Sequence, residues 1–164
     1  MRKVPSELDQ GIRVADQNYV PEEHLFRRFR PEYGDEPDLD AIQLPDISVN
    51  RGKYCEPLHT LWSESGQYDE WGVLRFSVKN VPPRLSFAGI KEYKFEIFHA
   101  PQRRNYPHTE IRASNETGER LVDKAMAKMD RDTNLKFREK ILEYADVAIR
   151  PGELDATMVF GDPD

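Results

Sequence analysis

Tyr93 to Ala113 reads YKFEIFHAPQRRNYPHTEIRA, and both ends of the stretch carry the same alternation. Tyr93, Phe95 and Ile97 alternate with Lys94 and Glu96, and Tyr106 to Ala113 runs in the same style. A period of two marks a half-buried strand, and two such runs joined by a polar stretch predict a β-hairpin. Register follows from pairing, because opposed residues of an antiparallel ladder share a face. Phe98 opposite Tyr106 sets Glu96 against His108, Lys94 against Glu110 and Glu92 against Arg112. The other face then carries Ile97 with Pro107, Phe95 with Thr109 and Tyr93 with Ile111, which suits a core. A slip of two would oppose Lys94 to Arg112 and Glu96 to Glu110, two like-charge contacts. The expected loop is Ala100 to Arg104, flanked by His99 and Asn105.

Upstream, Trp71 to Lys79 alternates with Leu74, Phe76 and Val78 on one side and stops at Asn80-Val-Pro-Pro, a second clear strand. Ile42, Leu44, Ile47 and Val49 form short apolar pairs broken by Pro45, consistent with an edge strand or two short pieces. One short helix is expected over Pro21 to Phe29, with proline first, acids in the first turn, arginines in the last, and Leu25, Phe26 and Phe29 as its stripe. Downstream the period turns helical. Leu121, Val122, Ala125, Met126 and Met129 share a face of a helix from about Glu116, capped by Asn115 or Thr117. Asp130 to Asn134 interrupts it, and Phe137, Ile141, Leu142, Tyr144, Ala145 and Ala148 continue on a second helix that Thr133 could cap, stopped by Pro151-Gly152. Ala156 to Phe160 reads as a last edge strand. Strands first and helices afterwards give an α+β domain: a mostly antiparallel sheet, two C-terminal helices on one face, and an irregular N-terminal arm. The expected division is an arm over 1–46, one α+β domain over 47–160 and a frayed tail over 161–164.

The chain's 164 residues suffice for one core and exclude a large multidomain machine. Charged residues make up 33% and hydrophobic ones 38%, and the mean hydropathy is -0.78, yet eight Phe, seven Tyr and two Trp leave enough apolar mass to pack. No run approaches the roughly 18 apolar residues of a membrane span, and MRKVPSELDQ lacks the apolar stretch of a signal peptide. A soluble, cytoplasmic protein without a membrane partner is expected, and the single Cys55 agrees with a reducing compartment. The net charge of -6 argues against a whole-molecule field that collects nucleic acid. The first sixty residues hold eight basic and twelve acidic residues and six of the twelve prolines, so most of that charge lies in a proline-laden arm. Such an arm is too polar to form its own core and could order against a protein partner; a sheet edge is the other expected surface for a partner or for oligomerisation.

Chemistry concentrates between His99 and Arg112. Arg103, Arg104, Asn105 and Tyr106 sit at the expected hairpin tip, where rigid strands commonly present binding residues, and paired guanidinium forks suit a phosphate-containing or carboxylate ligand. His99 and His108, with Arg104 as anion holder, have the types for acid–base hydrolysis of a phosphodiester. By parity, however, His99 lies on the core side and His108 on the charged side of the hairpin. A Glu92-x-Lys94 pair with Asp69 has the composition of a metal-dependent nuclease, and Cys55, His59, His99 and His108 that of a zinc site. Both spacings are weak. Hairpin ion pairs explain the first set, and Cys55 reads more simply as a small buried hydrophobe. No metal and no cofactor is therefore expected, and no phosphate-loop, Gly-x-Ser-x-Gly or dinucleotide fingerprint occurs. Asp46, Ser48 and Asn50 alternate onto one face, a polar strip that could lie beside the hairpin. The functional expectation is a protein-binding or accessory subunit with an anion-binding hairpin. The alternative is a nuclease-like phosphodiester hydrolase.

Overall fold

A computed structural model describes residues 1–11, 14–44, 46–89, 91–122 and 129–163. Its strands are β1 (His24–Phe29), β2 (Asp46–Arg51), β3 (Gly72–Ser77), β4 (Arg84–Phe87), β5 (Lys91–His99), β6 (His108–Ser114) and β7 (Asp146–Ile149). Its helices are α1 (Arg131–Tyr144) and the short α2 (Ala156–Phe160). The strands join in one sheet in the order β4-β5-β6-β2-β1-β3-β7, every neighbouring pair antiparallel. This is the α+β class that the strand-then-helix pattern predicts.

Within the expected Pro21 to Phe29 helix, Pro21 and Glu22 form a turn and His24–Phe29 is a strand that lies inside the sheet between β2 and β3. Leu25, Phe26 and Phe29 are all buried, as expected, but on two faces. Leu25 and Phe29 belong to the larger core, Phe26 to a smaller one behind it. A spacing of i, i+1, i+4 suits one helical stripe and a two-sided strand equally, and the availability of partners on both sides decides for the strand. The expected arm thus contributes a central strand, and the sheet crosses the boundary expected at residue 46. β2 is likewise central rather than an edge, since β6 and β1 flank it.

The hairpin forms, four residues out of the expected register. Glu96 opposes Arg112, Phe98 opposes Glu110, and His99 opposes Thr109. The slip is even, so every residue keeps its face. Tyr93, Phe95, Ile111 and Ala113 are buried on the core side, and the opposed Glu96 and Arg112 remain complementary. Two features move the register. Residues 102–105 close a tight tip of their own, with Gln102 and Asn105 exchanging backbone hydrogen bonds and Arg104 at φ 62, so the connection is longer than five residues. β2 also pairs along the far side of β6, setting Ser48 against Glu110, so β6 answers to two neighbours rather than to the hairpin alone. Arg112 further stacks over Phe98 at 3.8 Å and donates to Glu110.

C-terminal to the hairpin the expectations hold in part. The described start of the first expected helix is a turn: Asn115 Oδ1 accepts the amides of Thr117 and Glu119, and Ser114 bridges Arg120. The rest of that helix, with Ala125 and Met126, falls on 123–128, outside the described residues. α1 is capped by Asp130, whose carboxylate accepts from the Asp132 amide and the Thr133 hydroxyl. It buries Phe137 and Ile141, and Phe137 stacks on Phe95 at 4.1 Å. α1 ends at Tyr144 because the following residues pair with β3 as the edge strand β7. Ala156 to Phe160 is helical, since Asp155 caps it through the Met158 amide.

Opposite faces of the sheet carry the two cores. α1 and the 39–42 turn cover the larger face. Leu8, Cys55, Leu61, Trp62, Leu154 and Phe160 gather on the smaller one around Phe26 and Val73. α2 therefore does not share α1's face: its Phe160 packs with the smaller cluster. Among the described residues no helix is long and apolar enough to cross a membrane.

Candidate functional site

The cover of the smaller face is incomplete over β2, β6 and part of β1. Phe26 pairs with Asn50, and Asn50 pairs with His108, so these side chains align across three strands on that face. Arg28 and Ser48, two residues along their strands, share it by the alternation of a strand. Two adjoining clefts open there. One, of about 400 Å³, is lined by Arg28, Ser48, Asn50, Gln102, Asn105 and His108 with Tyr68 and Trp71. The other, of about 240 Å³, is lined by Arg28, Asn50, Thr60, Asn105, Ser63 and the expected pair Arg103 and Arg104. Arg28, Asn50, Thr60 and Asn105 border both, which makes one groove.

Arginines outweigh the one carboxylate, Glu64, that lines the smaller cleft. Arg28 lies over the Tyr68 ring at 3.7 Å and donates to the Thr60 carbonyl at 3.3 Å. Burial lowers its pKa from the usual value, and among the described residues no carboxylate pairs with it. Arg103 is exposed at the tip, whereas Arg104 forms an ion pair with Glu64 at 3.0 Å. The neighbouring Arg27 turns to the other face, donating to the carbonyls of Ala41 and Ser48; burial first, and the like charge of Arg28 second, lower it to about 10.

The groove wall also collects unanswered polar atoms. Thr60 Oγ1, Trp62 Nε1, Ser63 Oγ and Asn105 Oδ1 are buried without a hydrogen-bond partner among the described residues. All four residues line the smaller cleft. An unmade bond at a buried polar group costs about 1–3 kcal/mol. Asn105 does donate to Asn50 Oδ1 at 3.1 Å, which fixes the tip onto β2.

His108 is only 6% exposed, yet both its ring nitrogens are engaged. Nδ1 lies 2.8 Å from the Ala100 carbonyl and Nε2 lies 2.8 Å from Ser48 Oγ. A carbonyl only accepts, so Nδ1 carries a proton, and in that tautomer the Nε2 lone pair faces the Ser48 hydroxyl. Ser48 itself is exposed. The polar strip of Ser48 and Asn50 thus does lie beside the hairpin.

His99 and Tyr106 are elsewhere. As parity predicts, His99 is on the core side, fully buried, and the structure does not bring it to His108. Its Nδ1 accepts the Asp16 amide at 2.9 Å, and its Nε2–H donates to the Tyr106 carbonyl at 2.7 Å. Both nitrogens are spent on backbone, and burial lowers its pKa. Tyr106 packs edge-on against Tyr54 and His99, its hydroxyl donating to the Val14 carbonyl. His99 and the tyrosine of the expected anion site thus spend their polar atoms on the backbone, and His99 does not pair with His108.

What holds them is a polar cluster the sequence reading did not assemble. Arg51, fully buried, makes a two-pronged pair with Glu23 at 2.7 and 2.8 Å and donates to the Asp16 and Asn18 carbonyls. The Asp16 carboxylate, bonded to Lys53 and Tyr54, is held far below the usual range, and burial with the Asp16 contact pushes Tyr54 up to about 12. Arg2 likewise ties the N-terminus to Asp69 and to the Gly161 carbonyl. Arg2, Asp16, Asn18 and Glu23 of the arm thus bond within the chain itself.

The remaining metal readings find no geometry. Asp69 is bonded to Arg2, while Glu92 pairs with Arg84 on the far edge of the sheet. Cys55 lies against the Arg51 carbonyl with its thiol pushed up to about 12 by burial, and His59 Nδ1 accepts the Glu56 amide. Among the described residues no three His, Cys, Asp or Glu side chains are grouped to hold a metal ion. Arg28, Thr60, Trp62 and Ser63 were missed from sequence. Arg28 reads as a helix-end cation if 21–29 is taken as helical, and the 57–63 segment has no period that marks it. Comparison with protein-family models, curated proteins and solved structures finds no match to this chain.

Proposed function

We propose that the groove binds a small polar anion, a compound carrying a phosphate or carboxylate, and that the chain acts as a ligand-binding domain. The observation that carries this reading is the coincidence of a partly buried Arg28, without a carboxylate partner among the described residues, with four unanswered polar atoms in one wall. Each such atom left without water or a ligand costs about 1–3 kcal/mol. A ligand rich in donors and acceptors answers them, and the guanidinium supplies the counter-charge. Arg103, exposed at the outer end, steers and Arg28 holds. The hairpin arginines of the sequence reading thus contribute, but the anchor sits on β1. The overall charge of -6 favours a small ligand over a polyanion, because nucleic acid would meet repulsion beyond the groove.

Titration with inorganic phosphate, followed by amide NMR, tests the reading. Shifts should map to Arg28, Asn50, Thr60 and Asn105, and Arg28→Gln should weaken binding by roughly ten- to a hundredfold, the worth of one charged hydrogen bond. Phosphate that leaves those amides unmoved, or binds Arg28→Gln as well as the native chain, refutes it.

A further inference from the structure

The groove holds one pair whose chemistry ligand binding does not use, Ser48 with His108. We infer that Ser48 is a nucleophile and His108 its general base, and that the chain hydrolyses a carboxylic ester whose anionic end sits at Arg28 and Arg103. The inference rests on the groove as the substrate seat, but the pair makes demands of its own.

A serine hydroxyl becomes reactive when a base lies within hydrogen-bond reach and a third group fixes that base in the right tautomer. The Ser48 Oγ–His108 Nε2 distance of 2.8 Å meets the first requirement. The Ala100 carbonyl, 2.8 Å from Nδ1, meets the second, since it admits only the tautomer with its lone pair toward Ser48. A carboxylate does this work in the familiar triads; here the rigid hairpin connection does. Burial divides the pair usefully: the imidazole is enclosed and the hydroxyl is exposed in the groove. Asn50, whose Oδ1 is occupied by Asn105, keeps an amide NH₂ without a protein acceptor among the described residues, and Arg28 lines the same cleft. The Asn50 amide is the donor suited to an oxyanion, and Arg28 holds the anionic end.

The step balances with water as the only co-reactant. Ser48 Oγ attacks the ester carbonyl carbon while its proton passes to His108 Nε2. The tetrahedral oxyanion collapses, the C–O bond to the alcohol breaks, and the leaving oxygen takes that proton. Water, deprotonated by Nε2, then attacks the acyl-serine; the acid leaves and Ser48 recovers its proton. Nothing is oxidised or reduced. A cross-strand Ser–His bond with a purely structural role would share the geometry but not the reactivity, and that separates the two.

The test is covalent labelling by a fluorophosphonate, in which the serine oxygen forms a bond to phosphorus and fluoride leaves. Peptide mass mapping of the native chain should place the adduct on Ser48, Ser48→Ala should lose it, and His108→Asn should slow it by roughly a hundredfold or more, the usual worth of a general base. Because His108→Asn removes buried hydrogen bonds and can unfold the chain, Ser48→Cys supplies a second measurement. Its introduced thiol should react with iodoacetamide much faster in the folded chain than in urea. No adduct on Ser48, an adduct whose rate ignores His108, or a Ser48→Cys thiol no faster folded than unfolded each overturns the inference. Phosphate titration of the native chain reports separately on the groove: binding without labelling removes the nucleophile and leaves the binding site standing.

Discussion

Arg51→Met removes the charge at the point where the arm meets the sheet, and its consequence can be worked from the contacts. The guanidinium has no exposed surface, and Glu23, its two-pronged partner, is 8% exposed. Methionine fills much of the space, so the loss is electrostatic rather than a cavity. What remains is a buried carboxylate without a counter-ion and two carbonyls, of Asp16 and Asn18, without donors. Breaking one side of a buried pair costs about 3–5 kcal/mol, most of it the stranded charge. With a urea m-value of ~2 kcal/mol/M for a domain of this size, the unfolding midpoint should fall by about 2 M. The double variant Arg51→Met/Glu23→Leu removes the stranded charge as well and should recover most of that loss, because a buried pair is worth little more than an apolar pair of similar shape. Circular dichroism in a urea series reads both values, and limited proteolysis reads the arm, which should become cleavable between Val14 and Glu23 in the single variant. A single variant within about 1 kcal/mol of the native chain, or a double variant as unstable as the single, would refute the claim that Arg51 is the post to which the arm is tied.

Two further outcomes follow from close packing and from burial. At Gly72 an added Cβ would stand 2.3 Å from the Phe29 ring, so Gly72→Ala should cost about 1–3 kcal/mol in thermal or urea melts, and Phe29→Leu in the same chain should return part of it; an alanine that leaves stability unchanged contradicts the stacking of that ring on the strand. The pKa of His99 is lowered from 6.5 by burial. Below 6.5 the unfolded chain therefore takes up a proton that the folded chain refuses, and the stability His99 contributes, complete above 6.5, is lost as pH falls toward its folded pKa. Stability should decline from pH 7 to pH 5, and His99→Gln should flatten the decline; His59, lowered in the same direction by burial, keeps part of the slope in the variant. An unchanged slope in His99→Gln would show that His99 is not the group responsible.

Local pattern and tertiary structure divided the work at identifiable residues. The alternation of Tyr93, Phe95 and Ile97, and of Leu74 and Phe76, identified strands and their core faces from sequence, because a period of two needs no knowledge of what lies opposite. The same parity placed His99 on the core face and His108 on the opposite face, and it placed Ser48 and Asn50 on one strip; a four-residue slip of register leaves all of these intact. Arg103, Arg104 and Asn105 were legible as a loop tip for the same local reason. Only the tertiary structure could make a strand of His24–Phe29, since the spacing of Leu25, Phe26 and Phe29 satisfies a helix until both sides of the sheet supply partners. It alone brought Arg28 beside Asn50, Thr60 and Asn105, and His108 within reach of Ser48, residues separated by up to 77 and 60 positions in the chain. Side-chain period is a property of one segment and can be read from it. Which segments meet is decided by burying the remaining apolar faces together, and a site built across four segments exists only after that choice is made.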